Sequence, residues 1–122
     1  MSASILIVDD DFQIVQVCES ALKHVGYSVS TAENGRKAQA ALAIKEFDLI
    51  LLDIFMPEVD GLEFLNELSQ NRAKLKVVAM SGRLHCLKAA RQMGAKAILA
   101  KPFSLELLLK VVSETLVGES SM

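Results

Sequence analysis

The chain is poor in cysteine, nearly balanced in charge and without a long apolar run, and each shortage removes a class of function. Only Cys18 and Cys86 occur among 122 residues. They lie far apart and lack metal-ligand spacing, so no cysteine-held metal is expected. Cys18 falls on the apolar face of the first predicted helix, where a small buried thiol is ordinary. Cys86 adjoins His85, but successive helical residues point about 100° apart and cannot face each other as nucleophile and base. Both thiols therefore read as reduced and structural, and His24 and His85 carry no further signal. The net charge is -2 with 23% charged residues, and no basic stripe marks a nucleic-acid surface. No apolar stretch is long enough to span a bilayer and no signal-peptide pattern opens the chain, so a cytoplasmic location is expected. Internal repeats and low-complexity tracts are absent as well. The length suits one domain with a real core and not two. A single domain over 1–122 is expected, with its core at about 4–117 and a frayed tail or linker stub at 118–122.

What is present is a series of apolar runs, each ending in residues with chemistry. Ile5-Leu6-Ile7-Val8 leads into Asp9-Asp10-Asp11, and Leu49-Ile50-Leu51-Leu52 leads into Asp53. Leu75 to Met80 leads into Ser81-Gly82, and Ala95 to Ala100 into Lys101-Pro102. Runs of Ile, Leu and Val without alternation suit strands buried on both faces of a helix-covered parallel sheet. Such sheets bind ligands at the carboxyl ends of their strands, where connections diverge to opposite faces. If the first and third strands are neighbours, several carboxylates converge there. Like charges so close repel, which calls for a cation or for protonation. Carboxylate oxygens as the obvious ligands favour a hard cation such as Mg2+ (or Mn2+).

Helical patterns fill the intervals, the alternation expected of βαβ units. The first helix is predicted from Asp11 or Phe12 to Gly26, with Val15, Cys18, Leu22 and Val25 inward and Gly26 as its C-terminal cap. Tyr27–Thr31 alternates and reads as an edge strand. Asn34 can cap a second helix through about Lys45, with Ala38, Ala41 and Leu42 inward. Asp60-Gly61 marks a turn before a third helix near Leu62–Gln70. A fourth is predicted over Leu84–Met93, stopped by Gly94, and a fifth, capped by Ser104, runs to about Val117. Five strands and five helices in alternation make an α/β fold, a doubly wound parallel sheet joined by right-handed crossovers.

The order Asp-Asp, Asp, Ser, Lys-Pro at successive strand ends resembles the receiver domain of two-component response regulators, the CheY-like family. The resemblance runs from about Ser4 to Val117 and includes Gly26-Tyr27, Ala32-Glu33-Asn34-Gly35 and Met93-Gly94-Ala95. It implies the flavodoxin-like (βα)5 strand order 2-1-3-4-5, which sets Asp9, Asp10 and Asp53 together at the switch point. It implies that Asp53 accepts a phosphoryl group from a sensor histidine kinase or a histidine phosphotransfer protein. A carboxylate is a weak nucleophile, so positioning and charge neutralisation must carry most of the catalysis. By the same resemblance Asp10, Asp53 and the Phe55 backbone carbonyl hold Mg2+, and Asp9 acts through a bound water. Asp11 is the member of the acidic run best placed to cap the first helix, whose dipole favours an anion. Lys101 is implied to pair with Asp53 and then with the phosphoryl oxygens, offsetting charge as the P–O bond forms. A cis Lys101-Pro102 bond is implied too. Ser81 stands at the switch hydroxyl position, although a lone Ser after a strand more often caps a helix.

Three departures qualify the resemblance. Ile98 stands where the family has its switch aromatic, so ring rotation is unavailable and output on that face must be signalled differently. Phe55 and Arg83 hold positions that tune phosphoryl lifetime; bulky Phe55 is expected to shield the acyl phosphate and Arg83 to pair with it. Gly82, where Ala is commoner, leaves room for the phosphoryl group. On the last helix Leu105, Leu108, Leu109, Val112 and Leu116 form the expected core stripe. Leu107 and Val111 lie roughly opposite and suggest a contact surface on the fourth helix, fifth strand and fifth helix, for a homodimer or a downstream target. A haloacid-dehalogenase-type phosphatase is rejected, because Phe12-Gln13 breaks its motif and no acidic pair follows Lys101. The remaining alternative is a receiver-like scaffold that is never phosphorylated, which the replacement at Ile98 motivates. No conventional turnover enzyme is expected, only self-catalysed phosphorylation and slow autodephosphorylation.

Overall fold

The computed structural model describes residues 2–55 and 61–118. Strands and helices alternate throughout: β1 (Ser4–Val8), α1 (Phe12–His24), β2 (Ser28–Ala32), α2 (Gly35–Ile44), β3 (Leu49–Asp53), α3 (Gly61–Asn71), β4 (Lys76–Ser81), α4 (Leu84–Gln92), β5 (Ala97–Ala100) and α5 (Leu105–Val117). The strands pair in parallel in the order β2-β1-β3-β4-β5, as expected. Asp60 of the expected turn and the tail after Gly118 lie outside the described residues.

The sheet is apolar on both faces because helices cover both. Ile5, Ile7, Leu49, Leu51, Val78, Met80 and Leu99 pack with Val15, Cys18 and Leu22 of α1 and with Leu108 and Val112 of α5. Leu6, Val8, Ile50, Leu52, Val77 and Ala79 pack on the other side with Ala38 and Leu42 of α2, Phe64, Leu65 and Leu68 of α3, and Ala90 of α4. Neighbours in sequence thus serve opposite layers, as the two-residue period of a strand requires. Val8 is in register with Leu52, so the residues that follow them, Asp9 and Asp53, emerge side by side. Asp53 pairs with Met80 and Ser81 with Ala100, which brings Ser81 and Lys101 to the same edge.

Helix ends follow local chemistry. The Asp11 carboxylate accepts from the N–H groups of Gln13 and Ile14, and Asn34 and Ser104 cap α2 and α5 in the same way. The expected end of α1 at Gly26 is corrected to His24. The Tyr27 N–H bonds back to the Leu22 carbonyl, and Gly26 takes φ +105° to turn the chain into β2. Val25, expected inward, is half exposed because it lies past the last helical turn. β5 begins at Ala97 and not Ala95, since the Ala95 N–H still closes α4 by bonding to Ala90. On α5, Leu105 is exposed, Thr115 is buried, and Val111 packs half-buried against the core. Leu108, Leu109, Val112 and Leu116 of the expected stripe do pack inward, and only Leu107 of the expected surface pair is exposed.

Gly61 opens α3 against the β3 end. A Cβ there would overlap the backbone of Ile54, the residue after Asp53. At Gly82 an added Cβ would meet only the Lys101 carbonyl oxygen, at 3.9 Å. Gly61→Ala is therefore expected to lose about 1–3 kcal/mol of unfolding free energy in a urea titration. Gly82→Ala should stay within about 0.5 kcal/mol of the parent protein.

Candidate functional site

The carboxyl edge of the sheet carries a shallow depression lined by Asp9, Asp10, Asp11, Asp53, Phe55, Ser81, Gly82, Arg83 and Lys101. Every residue singled out at the four strand ends is therefore brought together. Asp9, Asp53 and Ser81 are buried, at 1%, 4% and 1% exposure, whereas Asp10 is exposed. One carboxylate oxygen from each of Asp9, Asp10 and Asp53 lies within 4.8 Å of the others. Asp11 sits beside them but is committed to the first turn of α1.

Backbone amides fix the two buried carboxylates. Asp9 Oδ1 accepts the Asp11 N–H at 2.9 Å, and Asp53 Oδ1 accepts the Phe55 N–H at 3.1 Å. The second oxygens face Lys101. Its Nζ lies 2.8 Å from Asp9 Oδ2 and 3.5 Å from Asp53 Oδ2. The pairing with Asp53 that the resemblance implied is present, and the shorter contact is to Asp9. The Lys101-Pro102 bond is cis. Ser81 Oγ accepts the Arg83 N–H at 3.0 Å. The helix-cap role is corrected here: Ser81 ends β4, and the cap position of α4 is Arg83, whose side chain makes no capping bond.

The electrostatics follow from three carboxylates facing one ammonium. Burial, and next the Asp9 charge, push the Asp53 carboxyl up to about 7; Lys101 and the Phe55 N–H offset this only in part. Burial alone would lower the pKa of Lys101. The hydrogen bond to Asp9 and the charges of Asp53 and Asp9 outweigh burial and raise it, so the ammonium stays charged. The same field reaches Cys18, whose thiol is pushed up to about 11 by burial and by Asp9. A thiol so placed is a poor nucleophile at neutral pH, which agrees with its structural reading. Cys86 packs half-buried against the core.

Two features lay beyond sequence reasoning. Phe55 and Arg83 were expected each to act on the acyl phosphate, yet the guanidinium lies over the phenyl ring at 4.5 Å from its centroid. Ile98 turns inward and packs with Cys86 against the layer that contains Ala90 of α4. Among the described residues no helix is long and apolar enough to cross a membrane.

Comparison with known proteins agrees with this geometry. Residues 5–113 match the family model of the response regulator receiver domain. The chain is 41% identical over 102 residues to the DNA-binding transcriptional regulator NtrC of Salmonella typhimurium, covering 82% of this chain and 22% of that protein. It is 33% identical over 110 residues to the response regulator SaeR of Staphylococcus aureus, covering 88% and 48%. The chain thus spans about half the length, or less, of these curated relatives. Among solved structures, NtrX of Brucella abortus superposes with a TM-score of 0.92 at 31% identity, over 98% of this chain and 28% of that one. A CheY-like receiver domain protein of Methanospirillum hungatei gives 0.90 at 30% identity, over 98% and 97%. The match over nearly the whole fold, with the acidic strand ends, Ser81 and Lys101 in one depression, makes this chain a member of the response regulator receiver domain family of two-component signalling.

Proposed function

We propose that this chain takes a phosphoryl group onto Asp53 from the phosphohistidine of a sensor histidine kinase or a histidine phosphotransfer protein, and that the change switches an interaction surface. The observation that carries the reading is a buried carboxylate at a strand end, set against a second carboxylate and an ammonium. Asp53 Oδ1 is held by the Phe55 amide, while Oδ2 faces Lys101. In transfer, an Asp53 oxygen forms the bond to phosphorus as the P–N bond to the donor imidazole breaks, and the imidazole leaves with a proton. Lys101 stands where charge develops on the transferring oxygens, and the Ser81 hydroxyl can donate to one of them.

The donor set fits a divalent cation. Asp9, Asp10 and Asp53 against Lys101 leave two negative charges unmatched, and hard carboxylate oxygens suit Mg2+ or Mn2+. Asp10, Asp53 and the Phe55 carbonyl would hold the ion, with Asp9 acting through a water. Bound there, it would supply charge neutralisation for the approach of an anionic phosphodonor. Autodephosphorylation is the slow return reaction with water. Downstream partners or a homodimer are assigned to the α4, β5 and α5 face, where Leu107 is exposed. A scaffold that is never phosphorylated is the second reading. Ile98 supports it, since a packed aliphatic side chain replaces a rotating ring.

Incubation with acetyl phosphate and Mg2+ should add one phosphoryl group by intact mass. The addition should fail with EDTA and in Asp53→Asn, and Lys101→Ala should slow it at least about tenfold. No uptake by the parent protein, together with no Mg2+ binding in a titration, favours the scaffold. The raised Asp53 pKa gives a second test. Without metal, the folded state holds a proton between about pH 4 and 7 that the unfolded chain has lost, so stability falls as pH rises through that window. Asp53→Asn escapes this loss. Its Tm in EDTA should match the parent near pH 4 and exceed it by about 5 °C or more at pH 8. Saturating Mg2+ at pH 8 should narrow the gap by stabilising the parent.

A further inference from the structure

An apolar groove lies between α1 and the first half of α5, outside the acidic depression. Two hollows of about 480 and 540 Å3 share Val17 and Leu105 and so run into one another. Ile14 and Phe103 line the first, Ala21 and Leu109 the second. Along α1 the wall is made by Gln13, Val17, Ser20, Ala21 and His24, residues three or four apart that share one face of the helix for about 16 Å. Val17 and Leu105 are 51% and 43% exposed. Single exposed apolar residues are ordinary, but these stand together in one continuous groove.

The groove also lacks free charge. Phe12 to Cys18 contains no charged residue, and Glu19 and Lys23 pair with each other at 2.8 Å. Lys101 lines one hollow, but its ammonium is turned to Asp9 and Asp53. A strongly charged partner finds little to pair with here. A surface that meets its own copy, by contrast, must be apolar and free of unmatched charge. Two helices at ordinary spacing offer roughly 16 Å by 20 Å, or about 300–400 Å2 per copy. That is less than a stable interface buries and suits a transient one.

We propose that a second copy of this chain seats in the groove, as a weak two-fold pair with the two α1 helices antiparallel. The axis passes by Ser20 and Ala21, small residues midway along the wall, where helix axes can approach closely. Val17 of one copy then lies opposite the His24–Val25 end of the other, and Val17 and Leu105 fill the facing hollow. This pairing leaves the α4, β5 and α5 face to a downstream partner.

Sedimentation velocity should show the parent protein passing from monomer toward dimer between about 10 µM and 1 mM, the range suited to so small an interface. Val17→Asp, Ser20→Arg and Ser20→Glu should each weaken pairing at least about tenfold. Ser20 is exposed, so its variants should keep the parent Tm. An equimolar mixture of Ser20→Arg and Ser20→Glu should pair again, because a residue beside a two-fold axis meets its own counterpart. Leu107→Arg, on the other face, should pair like the parent. A parent protein that stays monomeric at 1 mM overturns the proposal. So does pairing that Leu107→Arg abolishes and Ser20→Arg spares, or a mixture that does not recover. None of these readouts involves phosphoryl uptake, so their failure leaves the reading of Asp53 standing.

Discussion

One ammonium group holds together the carboxyl edge of the sheet. Lys101 Nζ reaches Asp9 at 2.8 Å and Asp53 at 3.5 Å, joining the end of β5 to that of β3 past β4 and to that of β1 past β4 and β3. Without it two buried carboxylates would face each other at the switch point, an arrangement that costs far more than an exposed like-charge pair. Yet one ammonium does not neutralise three carboxylates, and burial first, then the Asp9 charge, raises the Asp53 pKa. The edge is thus built to be incompletely satisfied by the protein alone. Residual negative charge that a fold cannot remove by pairing is a standing attraction for a cation.

The fold was legible because both faces of the sheet are covered. A strand buried on one face alternates and can be confused with other patterns, whereas Ile5–Val8 and Leu49–Leu52 are apolar throughout and admit few readings. The caps at Asp11, Asn34 and Ser104 were legible for a local reason: each side chain bonds an amide two or three residues on. Boundaries were less so. Where α1 ends depends on the Tyr27 N–H reaching back to Leu22, and where β5 begins depends on Ala95 remaining with α4. Those are competitions between nearly equivalent hydrogen bonds that composition does not decide. On α5 the apolar periodicity placed Leu108, Leu109, Val112 and Leu116 correctly, but it could not show that Leu105 is outward and Thr115 inward.

At the site, residue types were legible and pairings were not. Four strand ends in a parallel sheet present their next residues along one edge, and the strand order implied by the family resemblance then placed Asp9, Asp53, Ser81 and Lys101 together. Which carboxylate receives the ammonium is a matter of tenths of an ångström, and the shorter distance went to Asp9. The contact of Arg83 with Phe55 joins residues 28 positions apart through side-chain reach, for which no periodic pattern exists in the chain.

The first turn of α4 starts at the edge of the site, where Arg83 lines the depression. α4 begins at Leu84 with Arg83 in the cap position and no side-chain bond to its free amides, unlike α1, α2 and α5. Ahead of that turn the Arg83 N–H is held by the Ser81 hydroxyl, and the Arg83 side chain by the Phe55 ring. Phosphoryl oxygens are in general stronger acceptors than a hydroxyl and attract a guanidinium more strongly than a ring quadrupole does. The Ser81 hydroxyl is the side-chain acceptor of the Arg83 amide, and the helix beyond has no side-chain cap to take its place. Farther along, Ile98 and Cys86 pack with the layer beneath α4. Compliant aliphatic contacts can slide by small steps, whereas a switching ring must choose between two positions. Ile98 therefore leaves that face with packed aliphatic contacts in place of a ring that could rotate.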